Sequence, residues 1–206
     1  VPEGASLNTA AGALEKAGAI NSAREFTLLA RVFGGGTPIR AGEYRVPAHL
    51  SQADILKMLQ GGRTLQRFVT VPEGLPSVMV RDVLMKSPQL TGKVDVPPEG
   101  SVLPDSYAYD REATRASVLK RMQDAMTKYL AEAWDKRSPN TVAKSPSEAL
   151  ILASIVEKET GKAEERRMVA AVYSNRLRLG MKLQADPTTI YPITKGRPLG
   201  RRILKS

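Results

Sequence analysis

Ser145-Pro146-Ser147-Glu148-Ala149-Leu150-Ile151-Leu152-Ala153-Ser154-Ile155-Val156-Glu157-Lys158-Glu159-Thr160-Gly161 decides how the rest of the chain is read. Ser145 and Glu148 stand three apart, the spacing of a capping box, and Pro146 takes the first helical position, where its missing N–H does no harm. Gly161 offers a left-handed stop. Between these signals, Ala149 to Val156 is apolar except at Ser154, which predicts a helix buried on all sides. Glu157 is the first charge after that run. A carboxyl at the end of a buried helix is desolvated, and a carboxyl kept protonated is what general-acid catalysis needs. Glu157 is therefore the main catalytic candidate. Glu159 is a rival two residues on, pointing elsewhere on the helix, and spacing does not choose between them. The plain structural alternative is a helix-end glutamate paired with Lys158 or Lys162.

Downstream, Lys162 to Leu179 reads as a second helix with a charged first turn, an apolar face of Met168, Val169, Val172 and Leu177, and Gly180 as its stop. From Lys182 on, Pro187, Pro192, Gly196, Pro198 and Gly200 predict a loop. Upstream, a long helix runs from about Asp110 to Lys136, with Val118, Leu119, Met122, Met126, Tyr129, Leu130 and Trp134 on one face. Residues 86–98, with Pro88, Gly92, Pro97 and Pro98, read as a linker. Val1-Pro2-Glu3-Gly4 recurs as Val71-Pro72-Glu73-Gly74, and each copy precedes an apolar, helix-like stretch. Two copies are too few for a solenoid. Ser6, Ser22 and Ser51 each stand where a helix could be capped, the last helix being stopped by Gly61-Gly62. Glu43–Val46 and Arg67–Val71 read as strands, so the first third of the chain is an α+β module.

Composition narrows the chemistry. A chain of 206 residues makes one large domain or two small ones. No run of eighteen apolar residues occurs. The absence of cysteine rules out disulfides and thiolate metal sites, and a single histidine, His49, argues against a Ser-His-Asp site or a His-rich metal site. Carboxylates are left as the acid–base candidates. The net charge is +10, and 12 basic against 5 acidic residues lie between Glu157 and Ser206. That balance suits a polyanionic partner or a solvated basic face. Nucleic acid is not the partner expected: aromatics are 5% of residues, are not interleaved with the basic ones, and no nucleic-acid motif occurs.

A resemblance adds to these readings. Ala153 to Thr160 is followed by Glu165-Arg166, Val169-Ala170, Asn175-Arg176-Leu177, Gly180-Met181 and Leu183-Gln184-Ala185-Asp186-Pro187-Thr188. Upstream stands Glu99-Gly100-Ser101-Val102-Leu103-Pro104-Asp105-Ser106-Tyr107. In this order the series resembles the YceG-like (MltG) family of endolytic murein transglycosylases. The resemblance implies that Glu157, not Glu159, is the catalytic acid. It also implies cleavage of the MurNAc–GlcNAc bond of nascent glycan strands with 1,6-anhydro ends, without cofactor or metal. It identifies the first module as LysM-like and peptidoglycan as the substrate, with peptidoglycan synthases as further partners. The expected location is the outer face of the cytoplasmic membrane, held by one membrane helix ahead of Val1.

The chain is thus read as α+β: a LysM-like module at 1–72, a second partial repeat and linker at 73–96, and a mostly helical, C-terminally incomplete catalytic region at 97–206. Gln184, Asp186 and Tyr191, with Glu99, Asp105 and Tyr107, are candidates for binding sugar hydroxyls or N-acetyl groups. Ordinary turn chemistry, Asp186-Pro187 above all, explains the same residues. Asn175 and Arg176 are assigned to bracing the loop. Arg166 and Arg167 are expected in an exposed first turn, away from Glu157. Two alternatives stay open: a hydrolytic muramidase using Asp186 or Glu99 as a second carboxylate, and a non-catalytic glycan-binding scaffold.

Overall fold

Three serines open the first three helices. Ser6, Ser22 and Ser51 each accept a hydrogen bond from the backbone N–H three residues on, starting α1 (Leu7–Lys16), α2 (Ala23–Phe33) and α3 (Gln52–Gly61). The computed structural model describes residues 1–200 except Glu3, Arg63, Glu112 and Leu199. The chain forms two compact units, the first made of Val1–Arg67 and Ala108–Arg111, the second of Phe68–Tyr107 and Glu112 onward.

In the first unit α1 packs on α2 and α2 on α3. Their apolar faces close around Phe26, Ile55 and Leu59, with Leu14, Ile20 and Ala30 completing the core. The strand expected at Glu43–Val46 is not formed. Glu43 accepts one backbone bond from Leu65, and Gly42 donates one to Val1, but no ladder develops. Gly42 and Pro47 bound a stretch of four residues, too short to hold a register without a paired neighbour. Helices, rather than strands around a helix pair, therefore dominate this unit among its described residues.

A two-stranded sheet pairs β1 (Arg67–Val71) with β2 (Asp105–Tyr109). Val69 and Val71 are buried while Phe68 and Thr70 are not, the alternation of a strand with one covered face. In the second unit follow α4 (Ser77–Lys86), α5 (Arg115–Asp135), α6 (Pro146–Glu159), a single 3-10 turn (Ala163–Glu165), α7 (Arg166–Arg178) and α8 (Asp186–Thr194). Val118, Met122 and Met126 of α5 are buried at helical spacing, whereas Tyr129 on the same stripe is exposed. The segment 86–98 contributes Leu90 and Val94 to the buried set, so it is packed rather than loose.

Four local readings are corrected. α6 is buried on one side only, where it meets α5, α7 and α8, and Ile151 is 58% exposed. A run of apolar letters does not say how many neighbours a helix has. α6 ends at Glu159 with Thr160 extended, and Gly161 is not left-handed. Thr160 does the stopping: its hydroxyl donates to Glu165 Oε2 and accepts from the Lys162 N–H, tying the helix end to the 3-10 turn. The covered face of α7 is Val169, Ala170 and Tyr173, while Met168 (72% exposed) and Val172 face outward. Finally, 186–194 is the helix α8, not loop. Pro187 falls in its first turn, where proline is at home. Pro192 lies inside and leaves the Thr188 carbonyl without its helical donor, which a helix this short tolerates.

Candidate active site

Glu157 lies in the last turn of α6, its side chain 30% exposed. Its Oε2 is ion-paired with Arg166 Nη2 at 2.9 Å. The expectation of a carboxyl set against hydrocarbon, with Arg166 turned away, is overturned. Arg166 opens α7, and the Thr160 tie brings that helix start back alongside the end of α6. Arg166 also reaches Glu73 Oε2 at 3.7 Å. Glu73 belongs to the Val71-Pro72-Glu73-Gly74 turn, read earlier only as a repeat. Gly74 has φ +67°, and a Cβ placed there would stand 3.2 Å from Glu157 Cγ. The left-handed φ favours glycine, and an added Cβ would also press on Glu157, because the turn backbone runs beside the carboxyl side chain.

Glu159 is occupied elsewhere, accepting from the hydroxyl of the buried Tyr173. Burial first, and then this acceptor, push the Tyr173 phenol above its ordinary range. Glu165 is held below the usual carboxylate range by hydrogen bonds from Lys162 and then Thr160.

The other candidates fall into three groups. Glu99 and Tyr191 meet: the Tyr191 hydroxyl donates to Glu99 Oε2 at 2.8 Å, and Glu99 Oε1 accepts from the Ser77 N–H at 3.0 Å. Glu99 therefore caps α4 and anchors α8. Gly100 beside it has φ +74° and lies so close to Leu150 that a Cβ would meet its Cδ2 at 2.9 Å. Gln184 is left-handed (φ +52°) and accepts from Arg176 Nη1, which also donates to the carbonyls of Leu183 (2.6 Å) and Lys182. Asp186 starts α8, one residue after the buried Ala185. Asn175 turns away from this segment, accepting from Arg178, which reaches the carbonyl of Asn140. Asp105 and Tyr107 serve β2 and its approach: Asp105 accepts from the Ser106 N–H and Tyr107 donates to the Leu103 carbonyl. Burial, with Asp105 nearby, raises the Tyr107 phenol.

The Tyr191–Glu99 bond yields a pH prediction. Burial, then the Glu99 acceptor, raise the Tyr191 phenol in the folded chain. A raised folded value means stability present below the unfolded value and lost as pH rises through the folded one. Tyr191→Phe should therefore cost about 1 kcal/mol at neutral pH and nothing once the pH has passed well above about 10. Urea unfolding of both chains across pH 7–11 checks this, and a constant difference across the range would contradict it.

Sequence reasoning missed Arg166, Glu73 and Gly74 as neighbours of Glu157. The repeated Val-Pro-Glu-Gly turn was the available signal. Its second copy is separated from Glu157 by more than eighty residues, so only the fold brings them together.

The chain is also similar to known proteins. The chain is 27% identical over 235 residues to a protein of Streptococcus pneumoniae (strain D39) named endolytic murein transglycosylase, a match covering 93% of this chain and 42% of the relative. A Bacillus subtilis protein of the same name is 25% identical over 228 residues, covering 95% and 62% respectively. The chain thus spans less than two thirds of these relatives' length. A crystal structure of a yceG-like protein from Listeria monocytogenes superposes with a TM-score of 0.52 at 24% identity, covering all of this chain and 76% of that one, which supports the fold. A family profile described as YceG-like matches residues 1–205, and the chain belongs to the YceG-like family.

Proposed function

We propose that this protein is an endolytic lytic transglycosylase of peptidoglycan, with Glu157 as its acid and base. The observation that carries the reading is the carboxyl of Glu157, partly exposed at the end of α6, held through Oε2 by Arg166 and flanked by the Gly74 turn. Names of relatives that match nearly the whole chain support it. On this reading Glu157 Oε1 delivers a proton to the glycosidic oxygen between MurNAc and GlcNAc, and the bond from MurNAc C1 to that oxygen breaks. The MurNAc 6-hydroxyl forms the new bond to C1 and returns its proton to Glu157. The product is a 1,6-anhydro end and a free GlcNAc hydroxyl, and no water is consumed. The intramolecular nucleophile gains from proximity. Gln184, Asp186 and the Tyr191–Glu99 pair are proposed to bind the glycan. The first unit is proposed to be LysM-like and to contact the same strands. The enzyme would then trim nascent strands at the outer face of the cytoplasmic membrane, beside the synthases that make them.

A hydrolytic muramidase is the second reading, favoured by Glu73, a second carboxylate reaching the same guanidinium as Glu157. Glu99 is less suited to that part, since both its oxygens are engaged. Mass analysis of products from the full-length protein on purified sacculi decides. Anhydro ends, lighter by one water than hydrolysed ends and free of label in heavy-oxygen water, are expected. Labelled reducing ends would replace the first reading with the second, and binding without cleavage would leave a glycan-binding scaffold.

A further inference from the structure

Glu73 is a charged group that the proposed reaction does not use, and it shares its cation with the candidate acid. Arg166 Nη2 lies 2.9 Å from Glu157 Oε2 and 3.7 Å from Glu73 Oε2, so one nitrogen serves two carboxylates. Arg166 Nε is buried with no hydrogen-bond partner. No acceptor behind the guanidinium fixes it from that side, so the two carboxylates in front set its orientation. Gly74 allows this: a side chain there would press on Glu157 Cγ, and the left-handed turn carries Glu73 past the end of α6. The other charges near Glu157 are Lys158 and Glu159 on α6, and Glu165 with Lys162 at the 3-10 turn. Glu159 is engaged by Tyr173, and Glu165 by Lys162 and Thr160. Lys158 Nζ lies 3.6 Å from the position a Cβ on Gly74 would take. Lys158 thus stands beside the Gly74 turn, and Arg166 is the cation that Glu73 shares with Glu157.

We propose that Glu73 is a positioning residue for Glu157, sharing Arg166 so that the guanidinium that orients the acid is itself held by a second carboxylate. The inference rests on the transglycosylase reading above. An acid that must give up a proton and take one back in each turnover works poorly beside an uncompensated cation. Glu73 is 73% exposed, so solvent screens its charge and its influence is a few-fold, not thousands-fold. That magnitude separates it from a second catalytic carboxylate, whose removal costs about 10²–10⁴-fold.

The test uses the full-length protein on defined glycan strands, comparing wild type, Glu73→Gln, Arg166→Met and the double variant. Glu73→Gln is expected to lower kcat at neutral pH by about three- to tenfold, with KM changed less than about twofold. It should also move the alkaline limb of the kcat profile to lower pH, because the unshared Arg166 cation then favours loss of the proton from Glu157. In the Arg166→Met background the same substitution should change nothing further. Wild-type kcat with an unmoved limb, equal losses in both backgrounds, or a loss beyond about 100-fold would each overturn the proposal. The pairing has its own readout: the side-chain carboxyl 13C resonance of Glu157 should move with Glu73→Gln and stay put with Glu164→Gln. If the wild-type protein cuts no glycan, the transglycosylase reading falls. The resonance then decides the pairing alone, a shift supporting it and no shift overturning it.

Discussion

Glu157→Gln should abolish glycan cleavage by the full-length protein, a loss of about 10²–10⁴-fold or more, while the fold stands. The amide keeps the volume of the side chain, and the Thr160–Glu165 bond still ties the end of α6 to the 3-10 turn before α7. What is lost is the transferable proton, together with the charge that pairs with Arg166. Glu159→Gln is the control. Its partner is the Tyr173 hydroxyl, which an amide oxygen accepts as well, so turnover should stay near wild type. Release of soluble fragments from sacculi, with circular dichroism to verify folding, measures both. A dead Glu159→Gln beside an active Glu157→Gln would reverse the assignment.

The largest expected effect on stability lies at the start of α5. Arg115 donates to the carbonyls of Leu84 (2.8 Å), Gly92 (2.7 Å), Met85 (3.1 Å) and Ser87 (3.3 Å). One guanidinium thus binds the last carbonyls of α4 and the segment after it, while the Arg115 N–H bonds the Thr91 carbonyl. Arg115→Ala removes the donor and leaves those carbonyls short of partners, at a cost of about 2–4 kcal/mol. For a chain of this size that is a fall in Tm of roughly 5–15 °C. Arg115→Lys keeps the charge but not the fork, and should recover less than half. Lys120→Ala, which breaks the exposed Lys120–Asp124 pair on the same helix, should shift Tm by no more than about 2 °C. Equal shifts for Arg115→Ala and Lys120→Ala would show that the clamp contributes little.

Local signals were the legible part of this fold. Ser6, Ser22, Ser51 and Ser145 cap helices as their spacing said, because a cap is decided within four residues. β1 was legible from its β-branched alternation. What failed depended on neighbours. Met168 and Val172 look like a core face with Val169 until the covered side of α7 is found to run through Val169, Ala170 and Tyr173 instead. Pro187 and Pro192 suggested a loop because proline is weighed one residue at a time, whereas their positions along α8 decide what they do. At the site, Glu157 could be singled out from the sequence, but its cation could not. Arg166 was expected to face water because a charged first turn usually does, and the Thr160–Glu165 bond that turns it inward joins residues in separate elements. Asn175 and Arg176 are adjacent in sequence yet hold different segments, since adjacent residues on a helix point about 100° apart.

The first unit is not one continuous piece of chain: Ala108–Arg111 belongs to it, although Val1–Arg67 makes up nearly all of it. During synthesis its three helices emerge and can collapse around Phe26, Ile55 and Leu59, but the unit stays unfinished until about forty more residues have left the ribosome. At ordinary elongation rates that is a wait of about 2–8 s, long compared with the microseconds in which helices form. The last piece then arrives by closing a long loop, whose entropic cost grows only slowly with length. A nascent chain stalled just past Arg67 would thus hold a core without its final segment, and the birth order of the chain would set when the first unit reaches its full stability.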